Sequence, residues 1–516
     1  MGAGRNGVMS GRRFFLLLVL YLFCHLLLRV LATGNAELDE AEQVVWGQHL
    51  SLGYGAELPL YTWLQAILFH LFGVNIFAVA ILRSLLLFLL YLFTYLSALE
   101  ISENKRCALT AAASLLLIPL ISWEAQRILT HMLLATVLAS ASIFFFLRLL
   151  KTGKVQYYVF FGASAGLGML AKYNFGIFFA ALIIAACANP AMRKSLFNRR
   201  IFVAVAAFML ITALPFSWIM SHPQIAMAKA GKLHSGTGIL GGYLAGFGDL
   251  LKGVAGFHLF LVPVILSIFI KAPLIEKGTP QSRELRNLLG RTVLTAIGIC
   301  VIMILFFHVT HFKSRWLLPL LYPVPIYLVS LMQEKLGPSQ LRRLLACSGV
   351  AAFAMLTALP ARTLLARYTG TYSRMNDPYD LFAGELRKAG FTGGVIFAES
   401  NFVGGNLKLR FPESEVIVPG FHMLRFPRAV PRLLVWEATG KEDVPERLAP
   451  IAGSFPAACA GEVRYLEAPV LYLPERKVRL GFVIVSPASA SLIPPWGKWA
   501  ATDMAPQQSA TRFLQP

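Results

Sequence analysis

Several stretches of this chain are too long and too apolar to belong anywhere but in a membrane. The runs from Phe14 to Val30 and from Ile76 to Leu99 can each cross ~30 Å of hydrocarbon as a helix of about 20 residues. With 57% hydrophobic and only 14% charged residues, the chain reads as an α-helical polytopic membrane protein. Spans are expected near 13–32, 76–99, 107–122, 131–149, 155–171, 174–189, 201–220, 255–271, 291–308, 316–333 and 342–359, about eleven helices by the length criterion.

The formal net charge of +21 does not point to nucleic acid. The basic residues lie in short clusters between apolar runs, at Arg12/Arg13, Lys105/Arg106, Lys151/Lys154, Arg193/Lys194/Arg199/Arg200, Lys271/Lys277/Arg283/Arg286 and Lys335/Arg342/Arg343. With the N-terminus cytoplasmic, these fall on every second loop, the bias expected of inner loops. The first span is read as retained rather than cleaved, because its apolar run exceeds an ordinary signal h-region and lacks a clear small-x-small cleavage site. The loop from Thr33 to Asn75 is the opposite case: it holds Glu37, Asp39, Glu40, Glu42 and Glu57 and no Lys or Arg. It is therefore expected on the far side of the membrane, and its carboxylates are the first candidates for chemistry.

The composition changes around Pro360. From Ala361 to Pro516 no membrane-length apolar run remains, and strand-like pieces at Gly394 to Ala398, Glu415 to Val418, Arg432 to Trp436, Val470 to Leu473 and Leu480 to Val485 alternate with Gly/Pro turns. Asp377 to Ala389 reads as a capped amphipathic helix. The expectation is a membrane domain over 1–360, including the loop 33–75, followed by a small α/β domain over 361–516 on the same outer, periplasmic side. Of six cysteines only Cys459 lies in that domain, so no internal disulfide is expected there. The chain shows no internal repeat and no nucleotide-binding glycine loop, which argues against an ATP-driven pump.

Asn35 to Gln43 looks like the start of a surface helix, with Trp46, Leu50, Leu52 and Tyr54 as interfacial contacts. Adjacent carboxylates point in different directions on any helix, so Asp39 and Glu40 are expected to do separate jobs. Lys172 stands on a turn between two apolar spans, where a phosphate or carboxylate partner is expected. His308-Val309-Thr310-His311-Phe312-Lys313-Ser314-Arg315-Trp316 puts two histidines, a lysine and an arginine at one membrane boundary. Arg offers phosphate a planar fork and Lys a point charge, so this segment suits an anionic ligand. The Gly404-Gly405-Asn406-Leu407 piece reads as a tight turn, with the shaping of an acceptor site as the alternative.

The acidic Asp-Glu pair after the first span, the Gly53-Tyr54 turn, the Pro59-Leu60 step into a second amphipathic helix and the multi-span body resemble the protein mannosyltransferase-like branch of the GT-C glycosyltransferases. That branch includes the lipid A aminoarabinose transferases and the rhizobial lipopolysaccharide galacturonosyltransferases, and the resemblance covers roughly residues 10–360. Gly166 to Asn174 is similar to its Gly-x-x-x-Leu-x-Lys-Tyr signature, and His311 to Leu320 to its His-Phe-Lys-x-Arg-Trp motif. His131 stands where members often carry an acid. Glu57-Leu58-Pro59-Leu60 replaces Lys-Pro-Pro-Leu, so a lysine contact to donor phosphate is absent at that point.

The resemblance implies an enzyme that moves a sugar from a polyprenyl-phosphate donor to lipid A, lipopolysaccharide or another envelope glycolipid in the bacterial inner membrane. Asp39 or Glu40 would act in catalysis; Lys172, Tyr173, Lys313 and Arg315 would hold the donor phosphate; Glu57, His131, His308 and His311 would orient the acceptor. No cofactor is fixed by the sequence, and a divalent metal through Glu57, His222 and His234 stays open because the branch has metal-containing members. A protein O-mannosyltransferase-like enzyme and a non-enzymatic flippase of lipid-linked sugars are the alternatives. The flippase reading needs ionisable groups within the spans, and Arg83 is the main such group, close enough to an interface to snorkel.

Overall fold

The computed structural model describes residues 9–226, 228, 230–233, 238–270, 279–419, 430–438, 444–448 and 462–485. Among them, six helices are long and apolar enough to cross a membrane: α1 (Gly11–Ala32), Ile76–Ser102, His131–Thr152, Ile201–Ser221, Pro280–Phe307 and Pro338–Leu364. Three sharply bent pairs add up to three more crossings: Lys105–Leu117 with Pro119–Gln126 at 76°, Phe175–Cys187 with Pro190–Leu196 at 119°, and Ile239–His258 with Leu261–Phe269 at 49°. The chain is a multi-pass membrane protein.

The differences from the sequence expectation have local causes. The expected span over 316–333 is instead the pieces Ser314–Leu317, Leu318–Leu321 and Val324–Leu331, in a stretch where Pro319, Pro323 and Pro325 each remove a backbone donor. The expected span over 255–271 breaks after His258. Two of the bundle's helices meet backbone to backbone: a Cβ on Gly162 would come within 2.0 Å of the Ala204 carbonyl oxygen, so the contact of Val155–Ala171 with Ile201–Ser221 requires glycine there.

Two short helices follow α1, namely α2 (Leu38–Trp46) and α3 (Leu60–Phe72), before α4 (Ile76–Ser102) re-enters the bundle. Beyond the bundle lies a five-stranded sheet of β1 (Val395–Ala398), β2 (Glu415–Ile417), β3 (Arg432–Glu437), β4 (Arg464–Val470) and β5 (Leu473–Val485), in the order β2-β1-β3-β5-β4. β1 is parallel to β2 and β3, while β5 is antiparallel to β3 and β4. The expected strand Val470 to Leu473 is the β4–β5 hairpin corner, where Tyr472 has φ 63°.

Strand alternation sends Ile396, Leu433, Val435, Leu480 and Phe482 to one face and Val395, Phe397, Leu434, Trp436, Val483 and Val485 to the other. The first face is covered by the helices Tyr379–Lys388 and Asn401–Lys408, and also by α2, whose Ala41 and Val45 join the same core. Gly404 to Leu407 therefore lie in a helix rather than a turn. Ser400 caps that helix, and the glycines are there for close approach: a Cβ on Gly405 would sit 2.5 Å from the Ala41 carbonyl oxygen.

Hydrogen bonds stitch the first loop to this unit. Ala36 N–H donates to Asn406 Oδ1 (2.8 Å), and Asn35 Nδ2 donates to the carbonyls of Met375 (2.9 Å) and Asp377 (2.7 Å). Gln48 and Val416 exchange a reciprocal pair (2.9 and 2.8 Å). Buried polar groups satisfied across a seam fix its register, so α2 is held between the membrane bundle and the sheet.

Candidate active site

Glu37 and Glu40 form a capping box at the start of α2: Glu40 Oε2 accepts from the Glu37 N–H at 2.9 Å. Glu40 is only 1% exposed and is gripped from two membrane helices, by Arg29 of α1 and Arg83 of α4, each at 2.5 Å. Burial would push its carboxyl up, but the two guanidiniums outweigh this and hold it down at about 2. Arg29 further donates to the carbonyls of Thr33 (3.2 Å) and Asn35 (2.7 Å), and Arg83 to that of Gln126 (2.7 Å). Arg83 is thus 3% exposed and does not snorkel to an interface. Glu37 is shared by Arg127 and Arg362.

Asp39 points elsewhere, as adjacency on a helix demands. It is half-buried, and its charge is felt at the phenol of Tyr61, a buried residue of α3. The Tyr61 ring lies 5.3 Å from that of His131, the first residue of its helix, tilted by 43°. His131 is itself buried and meets Gln43 Nε2 at 3.2 Å, and Gln43 Oε1 accepts from Thr62 Oγ1 at 2.9 Å. One chain of contacts therefore runs from α2 through α3 to the helix that starts at His131.

Glu57 follows a tight bridge to Tyr54 and is ion-paired with Lys172. The chain's Glu57-Leu58-Pro59-Leu60 lacks a lysine in sequence, yet Lys172 brings an ammonium to this position from a distant turn. Asn174 Nδ2 on the same turn donates to the Trp316 carbonyl at 2.7 Å, which sets Lys172 and Tyr173 against the His308 to Trp316 segment. There His308 adopts a left-handed conformation (φ 50°) that ends the long helix before it. His311 Nδ1 pairs with Asp249 at 2.6 Å. Lys313 and Arg315 are half-buried on the same segment.

The open metal alternative does not assemble among the described residues. Glu57 is committed to Lys172, and exposed His222 bonds the Trp218 carbonyl of its own helix at 3.0 Å and stacks on the Trp218 ring. His234 lies outside the described residues. No group of three His, Cys, Asp or Glu side chains among those described is placed to hold an ion, so no chemical step is routed through one.

Sequence reading did not single out Arg29, Arg127, Arg362, Gln43 or Asp249. Arginine inside or at the end of an apolar span is the signal that could have found Arg29 and Arg362, because such a charge needs a buried partner.

A helical membrane body, a first loop rich in carboxylates and a basic boundary are the features expected of a GT-C membrane glycosyltransferase. The first part of the body, residues 56–219, matches the family described as dolichyl-phosphate-mannose-protein mannosyltransferase. The chain is 32% identical to the lipopolysaccharide core galacturonosyltransferase RgtB of Rhizobium johnstonii over 89% of its own length and 94% of that protein. It is 29% identical to the lipopolysaccharide core galacturonosyltransferase RgtA of the same organism, over 84% and 89%. Its fold is shared with ArnT of Cupriavidus metallidurans bound to undecaprenyl phosphate, with a TM-score of 0.60 at 13% identity over 92% of this chain and 98% of that one. The chain belongs to the GT-C glycosyltransferase family that includes the two rhizobial enzymes.

Proposed function

We propose that this enzyme transfers a sugar from a polyprenyl-phosphate donor to lipid A, the lipopolysaccharide core or another envelope glycolipid, on the periplasmic side of a bacterial inner membrane. The names of both relatives favour galacturonic acid as the sugar and the lipopolysaccharide core as the acceptor. The shared fold with a protein bound to undecaprenyl phosphate favours a lipid-linked donor. The domain division at residue 360 and a periplasmic C-terminal unit belong to the same reading.

The observation that carries the mechanism is the division of labour between neighbouring carboxylates. Glu40 is neutralised by two guanidiniums and acts structurally, which leaves Asp39 as the base. In this reading Asp39 takes the proton from an acceptor hydroxyl as its oxygen attacks the anomeric carbon. The bond from that carbon to the phosphate oxygen breaks on the opposite face, so the centre inverts and polyprenyl phosphate leaves. Lys172, Lys313 and Arg315 stabilise the charge that grows on the leaving phosphate, with Lys172 exchanging Glu57 for it. Tyr173 lines that phosphate site, and Glu57, His131, His308 and His311 orient the acceptor. The Asp249 partner gives His311 a fixed ring orientation.

The test is transfer of labelled galacturonic acid from polyprenyl phosphate to purified lipopolysaccharide acceptors in membranes that hold the wild type or Asp39→Asn at equal levels. The mutant should lose at least about a hundredfold in rate, the typical worth of a general base. Equal rates would remove Asp39 from the chemistry, and no transfer by either would turn attention to the protein-acceptor and flippase alternatives.

A further inference from the structure

A cavity of about 50 Å³ lies at the end of the bundle that carries α2, between the last turns of α1, the start of α4 and the end of the helix Pro338–Leu364. Its walls hold four guanidiniums, those of Arg29, Arg83, Arg127 and Arg362, and a single carboxylate, that of Glu37. Counting Glu40, which sits behind Arg29 and Arg83, and Glu124, which pairs with Arg127, four cations face three anions. One positive charge is left over in a largely buried place. Ion-paired arginines in low dielectric are costly when charge is left uncompensated.

The donors are not used up by these pairs. Nε of Arg83 and Nε of Arg362 are buried and hydrogen-bond to nothing among the described residues, and neither does Nε2 of His25, which is 6% exposed and lines the same cavity. The rest of the wall is mostly apolar, with Leu26, Leu28, Ala32, Leu359, Pro360 and Met375, and Ser84, Gln126 and Thr363 add neutral polar groups. On the flanking α1, Leu27 and Leu31 point outward and are exposed, as lipid-facing side chains are. None of Lys172, Tyr173, Lys313 or Arg315 lines this space.

We propose that this cavity is a second phosphate site, which binds the phosphate head group of a membrane lipid whose acyl chains lie along α1 and Pro338–Leu364. Arginine forks match phosphate oxygens bidentately, the surplus charge supplies the attraction, and the apolar wall accepts the start of the chains. This site is separate from the donor phosphate site of the reading above and does not depend on it. Because Arg29, Arg83 and Arg362 also bond the acids that open α2, an occupied cavity would brace the helix that carries Asp39.

The experiment is native mass spectrometry of the full-length protein in detergent, titrated separately with phosphatidylglycerol, with lipid A and with inorganic phosphate. Two variants are compared with the wild type: Arg362→Gln, which removes a fork, and Leu359→Trp, which fills the apolar wall and leaves every guanidinium in place. Their melting temperatures exclude unfolding. One equivalent of phosphatidylglycerol or of lipid A should be retained by the wild type, and each variant should weaken it about tenfold or more, the scale of one charge-assisted bond. Which of the two lipids is retained identifies the source. Binding unchanged in both variants would overturn the site, and inorganic phosphate bound as tightly as either lipid would overturn its assignment to a lipid.

Discussion

The Glu40 clamp yields a prediction whose size follows from the geometry. Glu40→Gln keeps the shape and removes the one negative charge that Arg29 and Arg83 share at 2.5 Å. Glu40 is 1% exposed and the Arg83 side chain 4%, so both guanidiniums lose a buried counter-ion with little water to replace it. Removing one partner of a buried pair costs about 3–5 kcal/mol. The carboxyl's drop from 4.5 to about 2 gives a compatible figure of about 3 kcal/mol at ~1.4 kcal/mol per unit. The same shift sets a pH dependence. A carboxylate held below its unfolded value contributes fully above pH 4.5, and its contribution is lost as pH falls from 4.5 toward 2. The assay is unfolding in detergent followed by tryptophan fluorescence, for the wild type, Glu40→Gln and Glu40→Gln/Arg83→Met. The single variant should be the least stable, and the double variant should regain part of the loss because one uncompensated charge is gone. A single variant within about 0.5 kcal/mol of wild type, the range of ordinary surface substitutions, would refute the clamp.

Three further outcomes follow from other contacts. Gly405→Val, which drives a side chain into the Ala41 backbone, should destabilise the protein by about 1–3 kcal/mol, read as a lowered melting temperature and earlier proteolysis between α2 and the sheet unit. Asp377 is buried and accepts from the Tyr372 hydroxyl at 2.7 Å, and burial raises its carboxyl to about 6. The folded state thus holds the proton more tightly, stability falls as pH rises from 3.8 to 6, and Asp377→Asn should flatten that window and be the more stable form above pH 6. Lys172→Met should raise the KM for a polyprenyl-phosphate donor about tenfold or more, the scale of a charge-assisted bond, while Glu57→Gln, which frees the ammonium, should leave the KM for that donor unchanged.

The membrane class and most of the strands were legible because each rests on a local pattern, apolar length or alternation with Gly/Pro turns. The helix Tyr379–Lys388 inside the expected 377–389 and the strands β1, β2 and β3 are of this kind. Broken helices were not legible, since proline and glycine mark where a break is permitted while the packing of neighbours decides whether it occurs. Gly404 and Gly405 looked like a turn for the same reason: their role is set by Val416 on one side and Ala41 on the other, both far away in sequence. At the site, the separate directions of Asp39 and Glu40 followed from helix geometry alone. The partners of Glu40 did not, because Arg29 and Arg83 come from two different spans, and only the fold shows that they meet on one carboxylate.

The first loop is therefore more than a connection between two spans. α2 shares a core with the sheet through Ala41 and Val45 and shares charges with the bundle through Glu37 and Glu40. An acidic helix end in contact with two membrane helices is held by paired charges, which are directional, whereas its other face is held by close packing against Gly405, which tolerates no rotation. These two constraints fall on different faces of one short helix, Glu37 and Glu40 toward the bundle and Ala41 and Val45 toward the sheet, and Asp39 is half-buried beside them. On the mechanism proposed above, Asp39 needs this combination, because a base must be held at a fixed height to reach an acceptor hydroxyl. The bundle sets that height and the sheet unit sets the rotation, so a change in either should reach Asp39 without touching it.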